Sequence, residues 1–440
     1  MNNLARLADA VEAAGNDLPF VQVGGIVREV APTYFRVRGL SAFVKLGDRV
    51  SVEAGESRAV GEVIRIDESE VTVKPFDSRF AVGIGMVARM VAAMSLNPAA
   101  AWKGRVINAL GDPIDGLGPL PRGDRSMPID APPPPAMARE RITKPLTTGI
   151  RVIDLFTPFC EGQRVGIFAG SGVGKSTLLS MLARSAGFDT VVIALVGERG
   201  REVREFLEGP LSQNRSRAVT VVSTGDESPT MRKLALLSAT AVAEYFRDRG
   251  ESVLLIVDSV TRYAHAARDV ALAAGEPPVA RGYTPSVFSD LPKILERAGP
   301  GRVGTGSITG IFAVLVDGDD HNDPVADAIR GTLDGHIVLD RGIADQGRYP
   351  AVNVLGSISR LADNVWSAEQ RTLARALKTL IARFEDTRDL RLMGGYHPGN
   401  DAELDRAVNL VPRIYDALRQ DPASKPSTDA FADLAQLLRI

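Results

Sequence analysis

The chain has 440 residues, 45% of them hydrophobic and 24% charged, the profile of a soluble globular protein of about three domains, which excludes disordered and fibrous classes. Lys and Arg number 52 against 54 Asp and Glu, a net charge of −2, so no chain-wide positive field exists to hold a nucleic acid or an anionic membrane surface. One cysteine, Cys160, and four histidines exclude an intramolecular disulfide, leave little from which to build a structural metal centre, and suit a reducing compartment.

Leu4, Leu7, Ala8 and Val11 repeat at helical spacing in residues 1–20, predicting a short amphipathic helix that is marginal alone and serves either as a packed segment or as a docking helix. Asp9 and Glu12 fall where a signal peptide would be apolar, and runs such as Val253–Val257 and Ile311–Val316 are far short of the ~20 residues of a membrane span. A cytoplasmic protein is expected.

Short β-branched runs follow in residues 21–92: Val21–Val23, Tyr34–Val37, Phe43–Val44, Val50–Val52, Ala59–Arg65 and Glu70–Val73. Their close spacing predicts a small β-barrel or sandwich. A Pro- and Gly-rich connection runs from Gly111 to Pro135. Predicted strands then alternate with helices up to residue 365: Gln163–Phe168, Thr190–Val196, Ala218–Ser223, Ser252–Val257, Thr309–Val316 and His336–Leu339, with helices at Ser176–Ala186 and Met231–Arg247. That alternation predicts an open, mostly parallel α/β sheet. From residue 366 only helical periodicity remains, on Leu373, Leu377, Leu380, Ile381 and Phe384, then in Leu404–Leu418 and Phe431–Leu438, predicting a helical domain over 366–440.

Ala169-Gly170-Ser171-Gly172-Val173-Gly174-Lys175-Ser176 follows a predicted strand and opens a predicted helix. Glycines let such a loop turn its backbone N–H groups around phosphate oxygens at a helix N-terminus that favours negative charge. Lys175 is then the contact to the β- and γ-phosphates, Ser176 a Mg²⁺ ligand, and Thr177 the next nucleotide-binding residue. Ala169 stands where the strict motif has glycine; a small residue there still permits the turn. A phosphate loop needs a second carboxylate for Mg²⁺ at the end of a buried strand, and Asp258, closing Val253–Val257, supplies it. Glu198 ends another predicted strand in Gly197-Glu198-Arg199-Gly200, at the edge where α/β sheets bind ligands. From spacing alone this loop is a catalytic carboxylate or a solvated turn.

Taken together, these segments resemble the catalytic subunits of the rotary ATP synthase class, and most closely the ATPases of bacterial type III protein export. The resemblance is dense from Gly104 to Arg360. It includes Gly104-Arg105-Val106-Ile107-Asn108-Ala109-Leu110-Gly111-Asp112-Pro113, Pro145-Leu146-Thr147-Thr148-Gly149-Ile150-Arg151-Val152-Ile153-Asp154, Gly275-Glu276-Pro277-Pro278, Gly282-Tyr283-Thr284-Pro285-Ser286-Val287-Phe288 and the stretch from Asp319 to Asp327. It implies a RecA-like P-loop NTPase core between a six-stranded N-terminal barrel and a C-terminal helical domain. It also implies Glu198 as the base for the attacking water, Arg199 as a phosphate-region contact, Tyr349 of Tyr349-Pro350-Ala351-Val352 as the adenine platform, and Arg360 of Ser357-Ile358-Ser359-Arg360 as a finger into a neighbouring subunit.

The implied activity is Mg²⁺-dependent ATP hydrolysis by a homohexamer that energises flagellar protein export from the cytoplasmic face of the inner membrane. The implied partners are a stator-like protein at the N-terminal helix, a central stalk protein, export chaperones and substrates, and the export gate, with no nucleic acid. An injectisome ATPase is the nearest alternative. An RNA-translocating hexameric helicase is more distant, because residues 21–92 lack a basic cluster around their aromatics. Cys160 receives no catalytic role.

Overall fold

In a computed structural model, the described residues are 22–438 without 56, 210, 211 and 317–322. The predicted N-terminal helix of residues 1–20, and positions 319–322 of the Asp319–Asp327 stretch, lie outside them. Two compact units form, one holding residues up to Met94 with Val270–Glu276, the other Ser95–Asp269 with Pro277 onward.

In the first unit six antiparallel strands close a barrel: β1 (Gly24–Val30), β2 (Phe35–Arg38), β3 (Arg49–Ala54), β4 (Ser57–Ile66), β5 (Glu70–Pro75) and β6 (Val87–Val91), in the order β1-β2-β5-β4-β3-β6. Val27, Phe35, Val37, Val50, Val52, Val71 and Val73 point inward and are fully buried, the alternation a closed barrel imposes. Two predicted strands are corrected. The first strand begins at Gly24, after Val21–Val23, and Phe43 lies in a turn, where its side chain is 58% exposed; two apolar neighbours carry no period from which to tell strand from turn.

The second unit is built on a nearly all-parallel sheet. Its strands are β7 (Val106–Asn108), β8 (Arg164–Ala169), β9 (Thr190–Glu198), β10 (Ala218–Thr224), β11 (Ser252–Asp258), β12 (Ser307–Leu315), β13 (Gly335–Val338) and β14 (Ile358–Ser359). They lie in the order β14-β13-β8-β12-β11-β9-β10-β7, and along this path only β14 runs antiparallel to its neighbour. All nine residues of β9 are buried, as expected of a parallel strand covered on both faces.

Helix α1 (Arg151–Phe156) precedes β8, α2 (Lys175–Ala183) follows it, α3 (Gly200–Glu208) follows β9, and α4 (Pro229–Asp248) packs on β9, β10 and β11. After β14 come α5 (Ala368–Asp386), α6 (Arg388–Leu392), α7 (Ala402–Leu418) and α8 (Ala430–Leu438). Leu377, Ile381, Val411, Ile414 and Leu434 join the same hydrophobic core as Ile167, Ile193 and Ile256. Leu373 is corrected: it is 46% exposed, and Ala374 takes the buried position one residue on. Among the described residues no helix is long and apolar enough to cross a membrane.

Behind the sheet, Glu244 of α4 accepts two hydrogen bonds from Arg297, at 3.0 and 2.7 Å, and both side chains are 3% exposed. Arg297 also donates to the Ile129 carbonyl. Removing one partner leaves an uncompensated buried charge, so Glu244→Ala is expected to destabilise the protein by about 3–5 kcal/mol; an unchanged denaturant midpoint would contradict this. Burial also pushes the Cys160 thiol up to about 11 by disfavouring the thiolate. Alkylation at pH 8 is therefore expected to await unfolding, and native labelling at the denatured rate would count against that packing.

Candidate active site

The loop after β8 turns through Gly172 (φ 77°) and Gly174 (φ 96°) before α2 begins at Lys175. Left-handed backbone is open to glycine with little strain, and a Cβ on Gly174 would also stand 3.5 Å from the Tyr349 ring. The Arg341 guanidinium donates to the Ser171 carbonyl at 2.9 Å, tying the loop to the segment that carries Tyr349.

Lys175 reaches across the sheet edge. Its amine forms an ion pair with Asp258 at the end of β11 and stands 4.0 Å from Glu198 at the end of β9. The two carboxylates come together because β9 and β11 are adjacent and parallel, with Leu195 level with Asp258. A register shift between Val196 and Glu198 turns the end of β9, in the manner of a β-bulge. Asp258 and Glu198 are 5% and 7% exposed. Burial first, and then the Asp258 charge, push the Glu198 carboxyl up to about 7, with a hydrogen bond to Glu202 adding to the rise against the opposing charges of Lys175 and Arg262. A carboxyl poised near neutrality can exchange a proton with water at working pH.

Ser176, Thr177, Glu198 and Asp258 line a cavity of about 500 Å³ together with Val203 and Phe206 of α3 and Pro422. A second cavity of about 470 Å³ adjoins at Thr177, walled by Tyr349, Arg419 and Pro422. Tyr349 is 43% exposed, and its carbonyl accepts from the Gln420 backbone N–H at 2.9 Å. Among the described residues no cluster of three or more His, Cys, Asp or Glu could hold a metal by itself. One hydroxyl, Ser176, and one buried carboxylate, Asp258, in a single cavity fit Mg²⁺, which keeps waters and takes phosphate oxygens as its remaining ligands.

Two candidates stand elsewhere. Arg199 is 82% exposed in its side chain and pairs with Glu202 at 3.4 Å. Arg360 lies at the opposite edge of the sheet: its N–H donates to the Asp334 carbonyl, whose own N–H donates to Arg164 at the start of β8. Five residues of strand, about 16 Å, separate that level from Ala169, beyond the reach of an arginine side chain. Arg262, Glu202 and Arg341 were not legible as site residues. Arg262 pairs with Glu198 at 3.4 Å and donates to the Gly197 carbonyl, but in sequence it is one arginine in a helix. Glu202, four residues after Glu198, carried the only signal, being one turn from a named site residue.

Comparison with known proteins identifies the family. Residues 149–359 match the ATP synthase alpha/beta family, nucleotide-binding domain, and residues 366–436 match the T3SS EscN ATPase C-terminal domain. The chain is 56% identical to a flagellum-specific ATP synthase of Rhizobium meliloti, covering 99% of this chain and 94% of the relative. It is 46% identical to the SPI-2 type 3 secretion system ATPase of Salmonella typhimurium, covering 85% and 86%. The assembled ATPase EscN of enteropathogenic E. coli superposes with a TM-score of 0.87 at 40% identity over 94% of this chain and 99% of that one. EscN in complex with its central stalk EscO gives 0.86 at 39% identity over 94% and 100%. With a phosphate loop, a buried Lys–Asp–Glu cluster and this likeness over nearly its whole length, the chain belongs to the flagellar and type III secretion export ATPases of the ATP synthase alpha/beta family.

Proposed function

We propose that the protein hydrolyses Mg²⁺-bound ATP at interfaces between its own copies in a homohexamer and thereby energises flagellar type III protein export. The observation that carries this reading is the division of the sheet: Lys175, Glu198 and Asp258 gather at one edge, while Arg360 sits exposed at the other. In this reading one chain carries both halves of a site at opposite ends of its strands.

In this reading the backbone N–H groups of Ala169–Thr177 hold the phosphates and Lys175 moves from Asp258 to the β- and γ-oxygens. Ser176 and Asp258 hold Mg²⁺, which when bound offsets charge on those oxygens. Tyr349 presents its ring to the adenine. Glu198 takes the proton of the water whose oxygen attacks the γ-phosphorus, as the bond to the β–γ bridging oxygen breaks and ADP leaves. Arg360 of a second copy reaches the developing charge, a contribution of about 10³–10⁵ in rate; Arg199 approaches the same phosphate region from its exposed position.

The name of the R. meliloti relative, at the higher identity, favours flagellar export. The SPI-2 relative and the EscN fold favour an injectisome instead, and neighbouring genes discriminate between them. The stalk complex of EscN supports a central stalk partner here. The α6 tip offers it apolar surface, Leu392 and Met393 being 75% and 86% exposed. Residues 1–20 serve a stator-like partner, 21–92 form the barrel domain, 93–365 the ATPase core and 366–440 the helical domain that meets chaperones and substrates. The protein works in the cytoplasm, peripherally at the inner-membrane export gate.

Glu198→Gln should retain ATP binding while turnover falls by about 10²–10⁴; a near-wild-type kcat would remove Glu198 as the base. Lys175→Ala and Arg360→Ala should each be inactive alone yet regain partial activity when mixed, since mixed rings contain interfaces with both residues intact. Failure of the mixture, or normal hydrolysis by Arg360→Ala alone, would overturn the shared site.

A further inference from the structure

Arg360 opens onto a cleft of about 240 Å³ lined by Phe156, Asp363, Trp366, Arg375 and Lys378. Three of its groups are cations. The one carboxylate among them, Asp363, is already engaged by Arg371 at 2.8 Å and lies 3.9 Å from Arg375. Among the described residues the Lys378 amine has only the Ser357 carbonyl, at 3.5 Å. Trp366 adds a donor whose indole N–H is buried without an acceptor. A buried N–H without an acceptor is costly, and Arg375 and Lys378 line the same cleft as Arg360. Cationic side chains outnumber carboxylates in the lining of this cleft.

We infer that Arg360, Lys378 and Trp366 form a composite oxyanion site that receives the phosphoryl group of the nucleotide held by a second copy. This rests on the shared-site reading above and extends it from one arginine to a cleft of three donors. Burial lowers the Lys378 pKa, the direction expected of an ammonium that has given up water without gaining a counter-ion; a phosphoryl oxygen would supply one. Lys378 also holds the Ser357 carbonyl, so the residue both faces the anion and steadies the turn that carries Arg360. A tetrahedral oxyanion can come from nucleotide on the neighbour or from free inorganic phosphate. The cleft shared with Arg360 favours the former.

The test uses full-length protein and the fluorescence of Trp366, isolated as the difference between wild type and Trp366→Phe so that Trp102 cancels. ADP with aluminium fluoride should change this signal at concentrations where copies assemble and leave it unchanged on dilution to single chains. Lys378→Met should abolish the change and lower kcat about tenfold or more, as loss of a charge-assisted contact does, with the ATP KM unaltered; Lys378→Arg should restore both. A signal change with inorganic phosphate alone in dilute single chains would overturn the assignment to a neighbour's nucleotide. If Arg360→Ala is inactive while Lys378→Met keeps wild-type kcat and signal, the cleft inference fails and the shared site stands. If Arg360→Ala is fully active, the shared site itself fails.

Discussion

Two carboxylates, Glu198 and Asp258, are buried side by side at the ends of adjacent parallel strands, and the site depends on the cation between them. Lys175 pairs with Asp258 and stands 4.0 Å from Glu198, and it is placed by the turn from β8 into α2. Desolvation and mutual repulsion raise Glu198 toward neutrality, while Asp258 keeps the direct ion pair. One geometry thus gives two chemically similar groups different surroundings, a direct ammonium partner for Asp258 and a carboxyl raised toward neutrality for Glu198.

The same sheet also separates Arg360 from the Lys175 cluster. Strands β13 and β14 return the chain to the start of β8, so Arg360 and its cationic cleft face away from the phosphate loop by the full length of a strand. A parallel sheet has two chemically different edges, and this protein places complementary charge on each.

The helical region is joined to the nucleotide cleft by polar contacts as well as by a shared core. Arg151 donates to the Ala417 carbonyl at 2.9 Å, and Gln420 bridges the Arg151 N–H and the Gly149 carbonyl. Arg348, next in chain to Tyr349, lies 3.9 Å over the Tyr415 ring, whose hydroxyl donates to Glu385. Pro422 closes both cavities at the site. The helical region thus helps to wall both cavities, while the loop before α2 is tied to Arg341 through the Ser171 carbonyl.

Much of this was legible in one dimension. Glycine spacing identified the phosphate loop, because left-handed turns tolerate few other residues. Continuous apolar runs marked the parallel strands, because burial on both faces removes alternation, and Asp258 followed from its place at the end of one. The sequence could not show that Arg262 faces Glu198, that Leu373 stays in water while Ala374 is buried, or that Trp366 and Lys378 share a cleft with Arg360. Those relations join residues on different elements or turn on a rotation of one helical position. Local pattern determined the elements and the loop that binds phosphate; only strand order and register decided which charges meet, because Coulomb and desolvation energies depend on separation in space and not along the chain.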